Sequence, residues 1–362
     1  MNVAILGAGG IIAPAIVRDL AESDEASELR LLDLDLDRAQ AVAAGHGGGK
    51  STAAQVDARA GLADSLAGIE VLVNAASYRV NLDAMHACLE ARCHYMDLGG
   101  LYWMTGRQLE RHAEFERAGL LGLLGMGSSP GKTNVMAVRA VRELGETPLR
   151  VDAVAGGRDL EPPQGFSIPY ALRTLIDEVT MPPVAVRGGR AMELGPLSDG
   201  GPVRFPEPIG EADTIHTLHS EVRTFPDSFG CRESSFRLSL APELLTRLRE
   251  LSDASEEEID EAARSALPPS PRTVAVHLIE AAAEDGRTVR VTATTRPMEE
   301  WGLGGGVVST AAPAAAAVRL LARETLTATG VMPPERCVEP DDLFPELERR
   351  GCVFEVEETV AT

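Results

Sequence analysis

Val3-Ala4-Ile5-Leu6-Gly7-Ala8-Gly9-Gly10-Ile11-Ile12 is a short apolar run that breaks into glycines. Four apolar residues in a row suit a buried strand. Ala13, Ile16, Val17 and Leu20 then recur at helical spacing, and a second apolar run, 29–32, ends on Asp33. Strand, glycine turn, helix, strand and acid in that order make the dinucleotide-binding βαβ unit. Gly7 permits the tight turn, and Gly9 lets the backbone approach a pyrophosphate. The helix start around Gly10, Ile11 and Ile12 offers N–H groups and a positive dipole end to that anion. Asp33 falls where a carboxylate accepts hydrogen bonds from the ribose hydroxyls. The pattern's third glycine is replaced by Ile12, which predicts a wider helix–strand approach, eased by Ala13 and Ala15. Asp35 and Asp37 stand where a 2′-phosphate site wants Arg or Lys. The expected cofactor is therefore NAD rather than NADP, with Arg38 the only nearby residue arguing otherwise.

A chain of 362 residues favours two domains. Its formal net charge of -21 argues against nucleic acid or an anionic membrane as partner. The 5 cysteines are scattered and odd in number, so no disulfide framework is expected. The sequence starts on a strand without a basic leader and shows no apolar stretch long enough to span a bilayer. A cytoplasmic protein is expected.

Further along, residues 38–44 read as a helix, and 44–51 match a permissive phosphate-loop pattern. The order is wrong for one, because a helix precedes and a strand follows; a helix-to-strand loop is expected. Residues 69–74 form a strong buried strand, so Asn74, Ala75, Ala76 and Tyr78 lie at a carboxyl end, where doubly wound sheets bind ligands. Residues 93–100 make the next strand and its carboxyl-end turn, and aim Asp97 at the same crevice. Residues 81–90 read as a helix with Leu82, Met85, His86 and Leu89 at core spacing, and 103–118 as one amphipathic helix with His112 solvated. Cys88, Cys93 and His94 lack a second ligand pair, so no metal is expected. A strand at 120–124 runs into a loop and a helix from 135. The spacing excludes a kinase-type phosphate loop, but the helix start suits an anion such as a substrate carboxylate.

Three stretches in order, Asn74-Ala75-Ala76-Ser77-Tyr78, His94-Tyr95-Met96-Asp97-Leu98-Gly99-Gly100 and Gly127-Ser128-Ser129-Pro130-Gly131-Lys132-Thr133-Asn134, resemble the saccharopine dehydrogenase-like family. That group includes saccharopine reductase, L-lysine 6-dehydrogenase and carboxynorspermidine dehydrogenase. The resemblance continues through Asp177-Glu178-Val179, Phe205-Pro206-Glu207-Pro208-Ile209-Gly210 and His219-Ser220-Glu221-Val222-Arg223-Thr224-Phe225-Pro226, and returns in 330–335 and 346–351. It implies an α/β chain: a Rossmann domain with a doubly wound parallel sheet over 1–126, an α+β mixed-sheet domain for substrate and dimerisation over 127–305, and C-terminal helices, 306–362, returning to the first domain. It also implies hydride transfer at a carbon bearing an amine, with an imine as the oxidised species. Tyr78, Asp97 and the Ser128-Ser129 loop then face the substrate, with Thr133 and Asn134 beside them. Lys132 stands where the family leads one to expect an apolar residue.

Beyond 150 the residues alone say less. Residues 158–165 read as a loop, 184–190 as a hairpin and 288–295 as a strand. Residues 240–266 read as helix, 302–306 as a turn, and Ser309 and Thr310 as caps of an Ala-rich helix. His219 and Glu221 would share a face if they lie on one strand, and Glu221 is a candidate partner for a substrate amine. Amine oxidation needs a group to take the proton. Asp97 is the first candidate, with Tyr78 and His219 behind it. Lys132 is either a base or, preferably, the partner of a substrate carboxylate. Three functions stay open: an NAD-dependent amine or amino-acid dehydrogenase of the lysine 6-dehydrogenase kind, a reductive coupling enzyme joining an amine to a carbonyl compound, and a non-catalytic NAD-binding regulator. The expected partners are a small amine or amino acid and a second copy of the chain.

Overall fold

The computed structural model describes residues 1–359. The first strands are β1 (Asn2–Leu6), β2 (Glu28–Asp33), β3 (Ser51–Gln55), β4 (Val71–Asn74), β5 (His94–Asp97) and β6 (Leu121–Leu123). With strand Gly330–Met332 they form one seven-stranded sheet in the order Gly330–Met332, β6, β5, β4, β1, β2, β3. Every pairing in it is parallel. The order reverses at β1, so the carboxyl ends of β1 and β4 flank the switch point where doubly wound sheets take their ligands. The strands read as continuous apolar runs because helices cover both faces; all four residues of β4 are buried.

The chain divides into two compact units, Met1–Lys132 with Thr310–Leu347, and Thr133–Ser309 with the residues from Glu348 onward. In the first unit the returning segment is tied down by charge. Arg319, Asp19 and Glu346 are all buried, and the Arg319 guanidinium lies 2.7 Å from each carboxylate. Buried charges persist only when paired in this way.

The second unit is built on a mixed sheet. Its main path runs Asp199–Arg204, Glu211–His216, Glu233–Leu238, Arg150–Asp159, Thr273–Ala282, Thr288–Thr295, Cys352–Thr359. Only the contact between Glu233–Leu238 and Arg150–Asp159 on that path is parallel. The hairpin Val184–Arg187 and Arg190–Glu193 attaches to Glu233–Leu238. Phe205, Val154, Val274, Val276 and Leu278 form one of its cores.

Several expectations change. The segment 306–362 does not return to the first domain as a whole: Cys352–Thr359 pairs with Thr288–Thr295 in the second sheet, and its last three residues, 360–362, lie outside the described ones. The helix expected over 103–118 is two helices, Leu101–Leu109 and His112–Ala118. His112 is not simply solvated, because its Nδ1 lies 2.9 Å from the Val331 carbonyl. Gly330 there has φ +91°, and a Cβ on it would sit 2.4 Å from the His112 ring. His86 is exposed rather than core. Arg158 and Asp159 end a strand instead of opening a loop. The Ala-rich helix starts at Gly305, so Ser309 and Thr310 lie inside it and are not caps. That helix is long and apolar enough to cross a membrane by composition, contrary to the expectation, but 78% of it is buried inside the protein. Residues 47–50 do connect a helix to β3, and Lys50 Nζ donates to the Ser23 carbonyl at 2.6 Å rather than waiting for a phosphate.

Candidate active site

At the switch point, β1 ends in the glycine turn. Gly7 has φ +77°, and a Cβ on it would lie 2.6 Å from Ala76 N, so backbone packs on backbone there. Only glycine meets both demands. Gly7 N donates to Leu32 O at 2.8 Å, and Gly10 N donates back to Gly7 O at 3.0 Å. Helix Ala13–Ala21 follows with Ile12 as its first flanking residue and without a side-chain cap. Its leading N–H groups are therefore not taken by a cap. Ile12 is buried and Ala13 and Ala15 are fully so, so the missing third glycine is absorbed by an apolar contact. Asp33 Oδ2 accepts from Gly9 N at 2.8 Å, and Oδ1 accepts from Asp35 N at 2.9 Å. Each carboxylate oxygen keeps a lone pair for a ribose hydroxyl. Gly7, Gly9, Gly10, Ile11, Ile12, Asp33, Ala75 and Ala76 thus lie on or beside one glycine turn. These residues fit an adenosine ribose and a pyrophosphate.

Asn74 faces inward rather than along the crevice. Its Oδ1 accepts from Ala76 N at 3.1 Å, and its Nδ2 donates to Asn81 Oδ1 at 2.9 Å. It belongs to the network around Asp97. That carboxylate is buried and collects donors on both oxygens. Oδ1 accepts from Gly99 N at 3.0 Å and from Gly125 N at 2.7 Å. Oδ2 accepts from Tyr95 Oη at 2.8 Å, Gln108 Nε2 at 2.6 Å and Asn81 Nδ2 at 3.2 Å. Burial pushes its carboxyl above the ordinary range against the pull of those donors. A carboxylate so engaged is poorly placed to take a proton from substrate. The geometry makes Asp97 the clasp that joins the turn after β5 to the loop after β6, and not the first candidate for a base. Tyr95 was readable, since it shares a strand face with Asp97. Asn81 and Gln108 sit on helices and gave no signal.

The loop after β6 is closed by backbone. Gly127 N donates to Pro130 O at 3.0 Å and Lys132 N to Gly127 O at 2.9 Å. Ser128 Oγ and Thr310 Oγ1 lie 3.2 Å apart, and Ser129 lies beside them in the same loop. Lys132 is buried and begins helix Lys132–Leu144. Tyr78 is half-buried in a short 3-10 turn, with the Arg79 guanidinium 5.7 Å from its ring centre.

In the second unit Thr133, His219 and Glu221 come together. His219 and Glu221 do not share a strand: Glu221 is the first residue of helix Glu221–Phe229 and His219 precedes its flanking residue Ser220. Glu221 is fully buried. Its Oε1 accepts from Thr133 Oγ1 at 2.8 Å, and its Oε2 lies 3.0 Å from His219 Nδ1. The His219 ring stacks on Phe236, centres 3.5 Å apart and planes 13° apart. Burial pulls the imidazole down, but the charge and hydrogen bond of Glu221, joined by Glu178, hold it above its ordinary value. Glu178, bonded by the Tyr170 hydroxyl, is itself pushed up by burial despite His219. Asn134 is buried in the same helix as Thr133. Glu178 and Tyr170 were not expected as site residues; only the Asp177-Glu178-Val179 resemblance hinted at the first.

Residues 3–123 match the family model of the saccharopine dehydrogenase NADP binding domain. The first domain is thus an NAD(P)-binding domain, and the resemblance seen in the sequence is borne out over those residues. With that domain the chain is an NAD(P)-dependent oxidoreductase. It is 25% identical over 275 residues to carboxyaminopropylagmatine dehydrogenase of Synechocystis sp., covering 72% of this chain and 67% of that one. Among solved structures, apo saccharopine dehydrogenase (L-Glu forming) from Saccharomyces cerevisiae superposes with a TM-score of 0.73 at 15% identity, over 99% of this chain and 100% of that one. Homospermidine synthase from Legionella pneumophila, solved in complex with NAD, gives 0.73 at 12% identity, over 100% and 92%. These two likenesses establish the shared fold.

Proposed function

We propose that this chain catalyses NAD-linked hydride transfer at a CH–NH carbon of a substituted amino acid, with an imine as the oxidised species. Run towards reduction, it couples an amine to a carbonyl compound. The buried His219–Glu221 pair carries this reading. An imidazole whose pKa an adjacent carboxylate raises can, when protonated, give a proton to an imine nitrogen and, in reverse, take one from the amine. The group is anionic overall when Glu221 and Glu178 face one imidazolium, and it suits a cationic amine. Among the described residues the buried hydroxyls of Thr217, Ser220 and Thr224 have no hydrogen-bond partner, so acceptors for further N–H donors stand close in sequence. The dinucleotide supplies or accepts the hydride. Asp33 supports NAD over NADP, although the matched family model is named for NADP. The name of the Synechocystis relative supports the coupling chemistry over simple oxidation of a primary amine such as lysine.

Lys132 holds a substrate carboxylate in this reading. The partners are a small amine or amino acid and a second copy of the chain, and the reaction runs in the cytoplasm, in keeping with 5 cysteines that are all free. The test is NADH consumption with amines, led by diamines and agmatine, paired with 2-oxo acids or semialdehydes, and NADPH run in parallel. Turnover with one amine–carbonyl pair supports the coupling reading. NADH formation from NAD and a primary amine alone replaces it with the lysine 6-dehydrogenase kind, and tight NAD binding without turnover in either direction points to a regulator.

A further inference from the structure

His277 is a buried imidazole that the chemistry described so far does not use. It stands in the middle of strand Thr273–Ala282, opposite Ala155 on one side and Ala293 on the other. Neither alanine side chain can bond it, so the ring is aimed at what lies above the sheet. Phe236 pairs with Ala153, and Ala153 with Ile279. Ile279 and His277 are two residues apart on one strand, so Phe236 and His277 point to the same face. On that face the His219 ring stacks on Phe236. Helix Lys132–Leu144 reaches the same place. Its far end is fixed near Ala282: Arg287 Nη1 donates to Leu144 O at 3.2 Å, and Leu149 N donates to Ala282 O at 2.8 Å. From Leu144 back to Thr133 the helix rises about 17 Å, at about 1.5 Å per residue. From Ala282 back to His277 the strand covers about 17 Å, at about 3.3 Å per residue. Thr133, whose hydroxyl bonds Glu221 at 2.8 Å, is thereby brought level with His277.

We infer that His277 is a further substrate-binding residue of this site, its imidazole donating a hydrogen bond to the substrate carboxylate while His219 and Glu221 hold the amine. This rests on the proposed amine chemistry. The requirement is electrostatic. Glu221 and Glu178 attract the amine of an amino acid but repel the carboxylate of the same molecule. That carboxylate therefore needs donors of its own. Lys132, at the start of the helix, supplies charge, and His277 supplies a directed N–H, which an imidazole offers whether neutral or protonated. A diamine of the same length has no group for His277 to bond. The residue thus separates amino acids from simple amines, a choice that the His219–Glu221 pair alone does not make.

The test is histidine-selective nuclear magnetic resonance on the full chain loaded with NADH, which cannot oxidise an amine. The chain has 7 histidines, so the signals of His219 and His277 are assigned by His219→Gln and His277→Gln. The probes are L-lysine against cadaverine and L-ornithine against putrescine, pairs that differ only in a carboxylate. The amino acids should move both signals, and the diamines only that of His219. In calorimetry the natural chain should prefer the amino acid of the tighter pair. His277→Ala should cut that preference by ~10- to 100-fold, the span of one hydrogen bond to a charged group. His277→Gln, which keeps an N–H donor, should restore most of it. A His219 signal that moves while His277 stays still, a His277 signal moved equally by the diamine, or a preference that survives His277→Ala overturns the inference and leaves the proposed function standing. The resonance arm needs only the natural chain, so it decides even where His277→Ala does not fold. If NADH binds yet no probe moves either signal, the proposed function falls and the inference with it.

Discussion

Asp97→Asn separates a positioning carboxylate from a catalytic one. An amide presents a carbonyl oxygen on one side and an N–H₂ group on the other. If the nitrogen faces Gly99 N and Gly125 N, two backbone donors that now bond Oδ1 are left without an acceptor. If it faces the other side it meets Tyr95, Gln108 and Asn81. Tyr95 can turn its hydroxyl, but Gln108 can reverse only by giving up the bond its Oε1 accepts from Asn81. Either way about two buried groups go unsatisfied, at roughly 1–3 kcal/mol each, and the charge assistance is lost. About 3 kcal/mol is the expected loss. For a unit of this size, that lowers the melting temperature by roughly 6–12 °C. Because Asp97 only holds the two glycine loops, kcat on the best amine–carbonyl pair should fall less than about tenfold below the melting range. A general base would cost ~100- to 10,000-fold. Thermal unfolding followed by circular dichroism, beside steady-state kinetics on the same preparation, gives both numbers. A melting temperature unchanged within a degree, together with a collapsed kcat, would refute the reasoning and return Asp97 to the role of base.

Glu221→Gln removes the larger of the two carboxylate charges that raise the His219 pKa. The raised imidazole pKa should fall, so the basic limb of the kcat profile for reduction moves to lower pH while NAD affinity is unchanged; an unshifted limb removes His219 as the proton donor. The same raised pKa makes a stability contribution that is fully present below the ordinary histidine value and lost as pH rises through the folded-state value, and a pH series of unfolding midpoints should show it shrink in Glu221→Gln, where only Glu178 still raises the imidazole. Lys132→Met should raise KM for the carboxylate-bearing substrate with kcat kept, whereas a collapsed kcat at unchanged KM would make Lys132 the base. Glu25 is opposed by burial, but the Ser23 hydroxyl and Arg323 bring its pKa from 4.5 to about 2. Its stability contribution is therefore present above 4.5 and lost as pH falls towards 2, and the acid limb of unfolding should flatten over that window in Glu25→Gln.

The first domain was legible because its signals are local. A glycine turn, the helix after it and the acid at the end of β2 lie within one βαβ unit, and parallel strands buried on both faces announce themselves as apolar runs. The second unit was not, because its sheet is assembled from distant pieces. Nothing in Cys352–Thr359 says that it pairs with Thr288–Thr295 rather than following the helices before it. The site divides in the same way. Gly7, Gly9 and Asp33 fall where spacing puts them. His219 and Glu221 were picked as a pair, but on the wrong element: two residues apart, they meet at a helix start, where a side chain can reach back over the flanking residue. Their third partner, Thr133, is 88 residues before Glu221, and no pattern in a single sequence links the two.

Burial alone does not tell a working acid from a structural one, since Asp97 and Glu221 are both buried. What separates them is the character of their partners. The hydrogen bonds to Asp97 come from two backbone amides, a phenol and two carboxamides, none of which titrates near neutral pH. Moving a proton onto Asp97 would disturb every one of them. Glu221 shares its charge with an imidazole, the one side chain whose ordinary pKa lies in the physiological range. A proton leaving His219 changes the charge of the pair while the Thr133 bond to the other carboxylate oxygen can stay in place. That asymmetry is why His219, steadied by Glu221, is the group expected to exchange a proton with the amine nitrogen, and why Asp97 is expected to hold the loops still.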